Sequence, residues 1–342
     1  MYDENRVIKD LRVLTEEFIP SRILHRDGQM KTLRDCLLPV LKGVRARDSF
    51  LVGTPGTGKT CISTYVVEEL KKQCPVLTSY VNCWVSSSRF KILYTILQEF
   101  GLFVHRKGVP TDELLDTLLH KVEGKSCVVI LDEADQIEDF RVLYDLLQGV
   151  VSLIMISNSE TALEAADPRV RSRLASTEQI HFPPYSVREV TDILKDRKEW
   201  GLLPGAIKNS QLETIAELSG GDARMALAIL SHAAQKAEQA DLEKIPDSFI
   251  EDSHSRALSH TKERPLEKLT PHQKIILEII KEKGKINSGE LFSILEKNSE
   301  KEKLERIVDR TFRKHMERLV RQGLVSASGE GRWREYSIGK ED

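Results

Sequence analysis

The chain lacks any apolar run near the roughly 18 residues that a membrane-spanning helix requires, which argues against an integral membrane protein. It lacks a CxxC pair. Its five cysteines, Cys36, Cys61, Cys74, Cys83 and Cys127, are odd in number and scattered. This argues against a zinc site or a disulfide framework and for reduced, mostly buried thiols in a cytoplasmic protein. The opening stretch "MYDENRVIKD" is polar and acidic and does not read as a secretory signal. There is no internal repeat and no low-complexity tract.

An excess of charge of one sign is also missing. Lys and Arg number 51, Asp and Glu 53, for a net charge of −2. A coat of positive charge is excluded, but a local patch is not, because nucleic-acid binding depends on how charge is distributed. Residues 305–334 carry eight Lys/Arg against four Asp/Glu. Within them "DRTFRKHMERLVRQGL" (309–324) places Phe312, Met316, Leu319 and Val320 at i, i+4, i+7 and i+8, one apolar helix face. Arg310, Arg313, Lys314, Arg318 and Arg321 fall mostly off that face.

What is present is an ordinary globular composition, 40% hydrophobic and 30% charged over 342 residues, enough for two or three domains. Short apolar runs at 49–52, 76–82, 127–131, 151–156 and 178–182 alternate with helical patterns such as 60–72 and 90–101. That alternation predicts an α/β fold with a mostly parallel sheet. After "PPY" (183–185) the strand signals stop, and 186–240 reads as a small all-helical domain. A polar, weakly patterned linker is expected at 256–268. A third unit follows, with helices near 271–283, 287–297 and 303–322 and a two-stranded ending at 323–338. The domains are thus read as 1–183, 184–255 and 269–342.

"GTPGTGKT" at 53–60 fits G-x-x-x-x-G-K-[ST], after an apolar strand and before a helix, which is the setting a phosphate-binding loop needs. Gly53, Gly56 and Gly58 permit turns that side chains would block, so amides can face phosphates at a helix N-terminus. Lys59 would reach the β- and γ-phosphates, and Thr60 would offer a hydroxyl to magnesium. "VVILDEAD" (128–135) is an apolar strand ending in two carboxylates. Asp132 would complete the magnesium shell and Glu133 would orient the attacking water. Asn158, in "MISNS" (155–159) at the end of the next strand, is either a turn residue or an amide within reach of the γ-phosphate. The letters D-E-A-D suggest an RNA helicase, but that class needs a second set of strands, and the chain after 183 reads as helical.

Together these residues resemble the AAA+ ATPases over residues 20 to about 235. The resemblance implies ATP/ADP and Mg2+ as ligands, with Thr60 and Asp132 at the metal, and a nucleotide cradled by Gly53, Thr54, Pro55, Gly56, Thr57, Gly58, Lys59, Thr60 and Cys61. It makes Asn158 the first sensor. In "DPRVRSRL" (167–174) it makes Arg173 an arginine finger acting on a neighbour's ATP, with Arg169 and Arg171 as competitors. In "GGDARMAL" (220–227) it makes Arg224 a second sensor reaching from a helical lid. Tyr185 and Ile193, and Ile19, Pro20, Ile23 and Arg26 of "FIPSRILHRDGQ", would lie near the adenine.

Within that family the likeness is nearest to the archaeal replication initiators related to origin-recognition and cell-division-cycle loading proteins. Asp27 departs from the Glu of many members, and "RKEWGLLPG" is idiosyncratic. This resemblance implies a slow, switch-like ATPase in the cytoplasm, associated with the nucleoid. Its partners would be double-stranded origin DNA, the replicative minichromosome-maintenance helicase and other initiator paralogs, with no membrane. It also implies a DNA-touching element within 84–115, using His105, Arg106 and Lys107. The third unit then reads as a winged helix, with Arg310, Thr311, Arg313 and Lys314 on its recognition helix and Arg332 and Arg334 on its wing. The alternatives are an adaptor ATPase whose winged helix binds protein, and a branch-migration motor.

Overall fold

A computed structural model describes residues 6–105, 108–148, 151–159, 161, 166–267, 269–302, 304–321, 323–329 and 334–339. The chain divides into two compact units, residues 1–254 and 255–342. No described helix is long and apolar enough to cross a membrane.

The first unit is built on strands β1 (Ser49–Val52), β2 (Leu77–Asn82), β3 (Cys127–Asp132), β4 (Ser152–Ser157) and β5 (Glu178–His181), all pairing in parallel in the order β2-β3-β4-β1-β5. Every residue of β1, β3 and β4 is buried, as runs of Val, Ile and Leu covered on both faces must be. Alternation along each strand divides the apolar residues between two cores. Leu51, Val128, Ile130, Ile154 and Ile156 pack with helices α1 (Asp27–Leu37) and α2 (Lys59–Lys71). Phe50, Val129, Leu131, Leu153 and Met155 pack with α3 (Arg89–Glu99), α4 (Thr111–Val122) and α5 (Arg141–Leu147), joined by Val170 of α6 (Pro168–Leu174). The chain therefore leaves β1, β3 and β4 at one edge of the layer, where loops carrying polar residues converge.

Helices α7 (Val187–Gly201), α8 (Asn209–Leu218) and α9 (Ala223–Gln239) form the expected helical group. A capping box between Ser186 and Glu189 starts α7. Residues 6–14, grouped in sequence with the sheet, pack on these helices instead. The N–H groups of Arg6, Val7 and Ile8 all donate to the Glu238 carboxylate on α9, each at 2.8 Å. Lys9 and Asp10 donate to the Gly201 carbonyl at 2.9 and 3.1 Å, and Val7, Val13 and Leu14 are buried. The physical reason is that this short apolar segment needs a cover, and α7 and α9 present one.

The stretch read as a linker, 256–268, is helical as far as Glu267. It continues α10 (Asp247–Glu267), within which the chain passes from one unit to the other. The second unit contains α11 (Pro271–Lys283), β6 (Lys285–Asn287), α12 (Ser288–Lys301), α13 (Asp309–Arg321), β7 (Val325–Ser328) and β8 (Glu335–Ile338). Its antiparallel sheet, ordered β6-β8-β7, includes a third strand that the sequence did not reveal. Ile276, Ile280, Leu291, Leu295, Phe312, Met316, Leu319 and Tyr336 fill its core. Helix α13 begins at Asp309 and not at 303: the Val308 carbonyl accepts the N–H groups of Thr311 and Phe312, closing the first turn there.

Candidate functional site

The loop after β1 needs its glycines for identifiable reasons. A Cβ on Gly53 would fall 2.2 Å from the Phe182 carbonyl oxygen beyond β5. A Cβ on Gly56, whose φ is 73°, would fall 1.7 Å from Asp222 Oδ1. Gly58, in the left-handed region, then starts α2, and Lys59 is its first residue. The Lys59 side chain is 6% exposed. Its Nζ donates to the carbonyls of Gly53 (2.5 Å) and Thr54 (2.8 Å) and to Asn158 Oδ1 (3.1 Å). Burial, with the nearby Arg224 charge, pushes its pKa down to about 8 against the pull of Asp132, Asp135 and Glu133.

Asp132 closes β3 and is 5% exposed. Its Oδ2 accepts from the Thr60 hydroxyl at 2.8 Å and from the Tyr80 hydroxyl at 2.7 Å, and its Oδ1 accepts the Glu133 N–H at 2.9 Å. Glu133 sits at φ 53°, ψ 48°, a left-handed conformation that a non-glycine residue keeps only where its surroundings hold it, commonly at a functional site.

These groups open on a cavity of about 490 Å³, within the range of small-molecule sites. Of the residues expected at a nucleotide, Ile19, Pro20, Ile23, Pro55, Gly56, Thr57, Gly58, Lys59, Thr60, Cys61, Asp132, Glu133, Asn158, Tyr185, Ile193 and Arg224 all line it. Apolar side chains are therefore available for a flat base, and an ammonium, a guanidinium and a hydroxyl–carboxylate pair for phosphates and a cation.

Four expected residues stand elsewhere. Gly53 and Thr54 lie outside the lining and act through the carbonyls that hold Lys59. Arg26 lies behind the site, 3% exposed, donating to the carbonyls of Thr57 (3.1 Å), His25 (3.3 Å) and Pro183 (2.5 Å), with its guanidinium 3.8 Å from the Tyr185 ring centroid. It clamps the loop to the exit of β5. Arg173 is also away from this cavity: on α6 it donates to the Leu147 carbonyl at 3.3 Å and lies over Tyr144.

Sequence reasoning missed Tyr80, Phe18, Arg197 and Leu227 in the lining. Arg197 is 6% exposed and donates to the Val13 and Phe18 carbonyls at 3.2 and 3.1 Å, tying the N-terminal strap to α7 beside the cavity. The signal available was an arginine on the inner face of α7, at i+4 from Ile193. Helix α9 docks on the phosphate loop itself. The Ala223 N–H donates to the Gly56 carbonyl at 3.2 Å, while Asp222 caps α9 by accepting from Arg224 N (2.8 Å) and Met225 N (3.1 Å).

In the second unit, Phe312, Met316 and Leu319 are buried, and Arg310, Arg313 and Lys314 are exposed, with Thr311 half-buried. Arg313 pairs with Asp309 at 2.6 Å. The Arg334 guanidinium lies 5.9 Å from the Tyr336 ring on β8. Arg332, like Arg106 and Lys107 in the first unit, lies outside the described residues. His105 is exposed.

Two family descriptions match the chain: an AAA domain over residues 45–163 and a Cdc6 AAA+ ATPase-type lid domain over residues 191–255. The chain is 41% identical over 307 residues to ORC1-type DNA replication protein 1 of Halobacterium salinarum, covering 88% of this chain and 99% of that protein. It is 31% identical over 351 residues to the ORC1-type DNA replication protein of Pyrococcus horikoshii, covering 94% and 84%. Among solved structures it superposes on the Aeropyrum pernix ORC1 protein in complex with DNA with a TM-score of 0.78 and 25% identity, covering 99% and 95%. The fold is also that of Cdc6p from Pyrobaculum aerophilum, with a TM-score of 0.69 at 24% identity over 98% and 95%. With the phosphate loop, the helical group and the three-stranded second unit in the same order, the chain belongs to the ORC1-type DNA replication proteins, AAA+ ATPases with a C-terminal winged helix.

Proposed function

We propose that this ATPase is a switch that loads at replication origins. The winged-helix unit holds duplex DNA, nucleotide state in the first unit sets the disposition of α7–α9, and the complex recruits the replicative minichromosome-maintenance helicase. The observation that carries the reading is the pairing, in one chain, of the Lys59–Asn158–Asp132 cavity with a basic helix whose Arg310, Arg313 and Lys314 side chains are exposed. The DNA complex of the Aeropyrum relative supports it.

The residues fit a magnesium nucleotide. Lys59 and Arg224 offer positive charge to phosphates, and the Thr60–Asp132 pair at 2.8 Å offers oxygen ligands of the type a hard divalent cation takes. Such a cation would neutralise charge on the phosphate oxygens. Glu133 would orient water, Asn158 would sense the γ-phosphate alongside Lys59, and Arg224 would bring α9 toward the phosphates. Arg173 would serve a neighbouring copy, other paralogs included, supplying cationic charge in trans. Residues 1–183 and 184–255 would act as base and lid. Turnover would be slow, as suits a switch whose site lies in the cytoplasm at the nucleoid.

Helix α13 would enter the major groove, with Arg310, Thr311, Arg313 and Lys314 toward bases and phosphates and the wing, Arg332 and Arg334, toward the minor groove. A contribution from His105, Arg106 and Lys107 would add phosphate contacts. The test is duplex affinity as a function of salt: a steep loss with rising salt is expected, and Arg313→Ala and Lys314→Ala should each lower the slope by about one. Association that ignores salt would favour an adaptor whose winged helix binds protein.

A further inference from the structure

Tyr80 stands where nothing in core packing calls for a tyrosine. It is 38% exposed and takes no part in either of the two cores that flank the sheet. On edge strand β2 it pairs with Ile130 of β3, and Asn82 pairs with Asp132, so Tyr80, Ile130 and Asp132 share one sheet face. A long side chain can reach the diagonal neighbour on the adjacent strand. The Tyr80 phenol does so, donating to Asp132 Oδ2 at 2.7 Å, the oxygen that also accepts the Thr60 hydroxyl at 2.8 Å. The strand is held in place from the other side, where the Tyr80 N–H donates to Glu99 of α3 at 2.6 Å.

We propose that Tyr80 is a positioning residue for the cation-holding carboxylate: its hydroxyl fixes the Asp132 rotamer so that Asp132 and Thr60 meet a divalent cation as a preset pair. Partners of this kind behind a metal-binding carboxylate orient it, and their loss commonly weakens metal affinity 10- to 100-fold. The inference rests on reading Thr60 and Asp132 as the cation site.

The test is Mn2+ binding to the full chain loaded with a slowly hydrolysed ATP analogue, followed by the loss of the free Mn2+ EPR signal. Four proteins are compared: the wild type, Tyr80→Phe, Tyr80→Leu and Asp132→Asn. Tyr80→Phe keeps the ring and removes only the donor. It should weaken Mn2+ roughly 10-fold, and Tyr80→Leu should match it, since the hydroxyl and not the ring is what matters. Wild-type Mn2+ affinity in Tyr80→Phe with weakened affinity in Asp132→Asn overturns the role of Tyr80 alone. A loss in Tyr80→Leu that Tyr80→Phe does not share assigns the residue to packing and equally overturns it. Wild-type affinity in Asp132→Asn removes the cation reading itself.

Discussion

Gly56→Ala tests whether the phosphate loop and helix α9 form one mechanical unit. The new Cβ would lie 1.7 Å from Asp222 Oδ1 and 2.2 Å from its Cγ, so Asp222 has to move. That side chain is not idle, because Oδ1 caps α9 through the N–H groups of Arg224 and Met225. Losing the cap costs about 1 kcal/mol. Losing the Ala223–Gly56 hydrogen bond costs about 1 kcal/mol, and holding alanine at φ 73° costs about 1–2 kcal/mol. A total of about 3–4 kcal/mol corresponds to a fall in Tm of roughly 10 °C for a unit of this size. Gly43→Ala is the control. Its φ is 72° but nothing lies within 4 Å of the added Cβ, so only the backbone term of about 1–2 kcal/mol applies. The assay is thermal unfolding of the full chain, paired with equilibrium binding of a fluorescent ATP analogue. Affinity should fall in Gly56→Ala, because Arg224 moves with the start of α9, and hold in Gly43→Ala. Equal Tm values for the two variants would refute the docking of α9 on the loop.

Two further predictions use titration and the N-terminal strap. Lys59 has its pKa pushed down from 10.5 to about 8 by burial, so between those values the unfolded chain carries a proton that the native one lacks. Its contribution to nucleotide-free stability is therefore a penalty below pH 8 that is relieved as pH rises through the window. Nucleotide affinity should run the other way, falling as pH rises through about 8; a titration from pH 6.5 to 9.5 that stays flat for the wild type as it does for Lys59→Met would contradict this. Glu238→Ala removes the acceptor of three backbone N–H groups and should cost about 2 kcal/mol. Limited trypsin digestion should then cut at Arg6, Lys9 or Arg12 much faster. The same release should occur in acid: burial raises the Glu238 pKa but the three amides more than offset it, so the hold is present above the usual carboxylate range and lost as pH falls through the lowered value. Unaltered digestion would show that Glu238 does not hold the strap.

The sheet was legible because strands buried on both faces have to be continuous apolar runs; "CVVIL" and "SLIMI" have no other comfortable state. The phosphate loop was legible because its chemistry needs glycines and a lysine at fixed spacing, and the apolar stripe of α13 because Phe312, Met316 and Leu319 repeat at the helical period. What escaped notice depends on distant partners. Residues 6–14 have no periodicity, and only α7 and α9 tell where they go. Strand β6 is three residues with one inward side chain, Ile286, too short to leave a pattern. The start of α13 was expected at 303, but Ile307 packs on the second unit's core and the first turn closes later, at Val308. Residues 256–267 contain Pro265 and little amphipathic signal, which argued for a linker, yet α10 runs through them. Arg26 was expected near the adenine, but sequence names a side chain without its direction; three backbone carbonyls decide that direction.

The proposed function joins a nucleotide switch to a sequence-reading DNA unit. It is tested most directly by capturing fragmented genomic DNA on the purified chain and sequencing what is retained, with the wild type and Arg313→Ala compared. Enrichment of a few loci by the wild type, and their loss in the variant, is the expected result. Uniform retention by both proteins, or none, would contradict it.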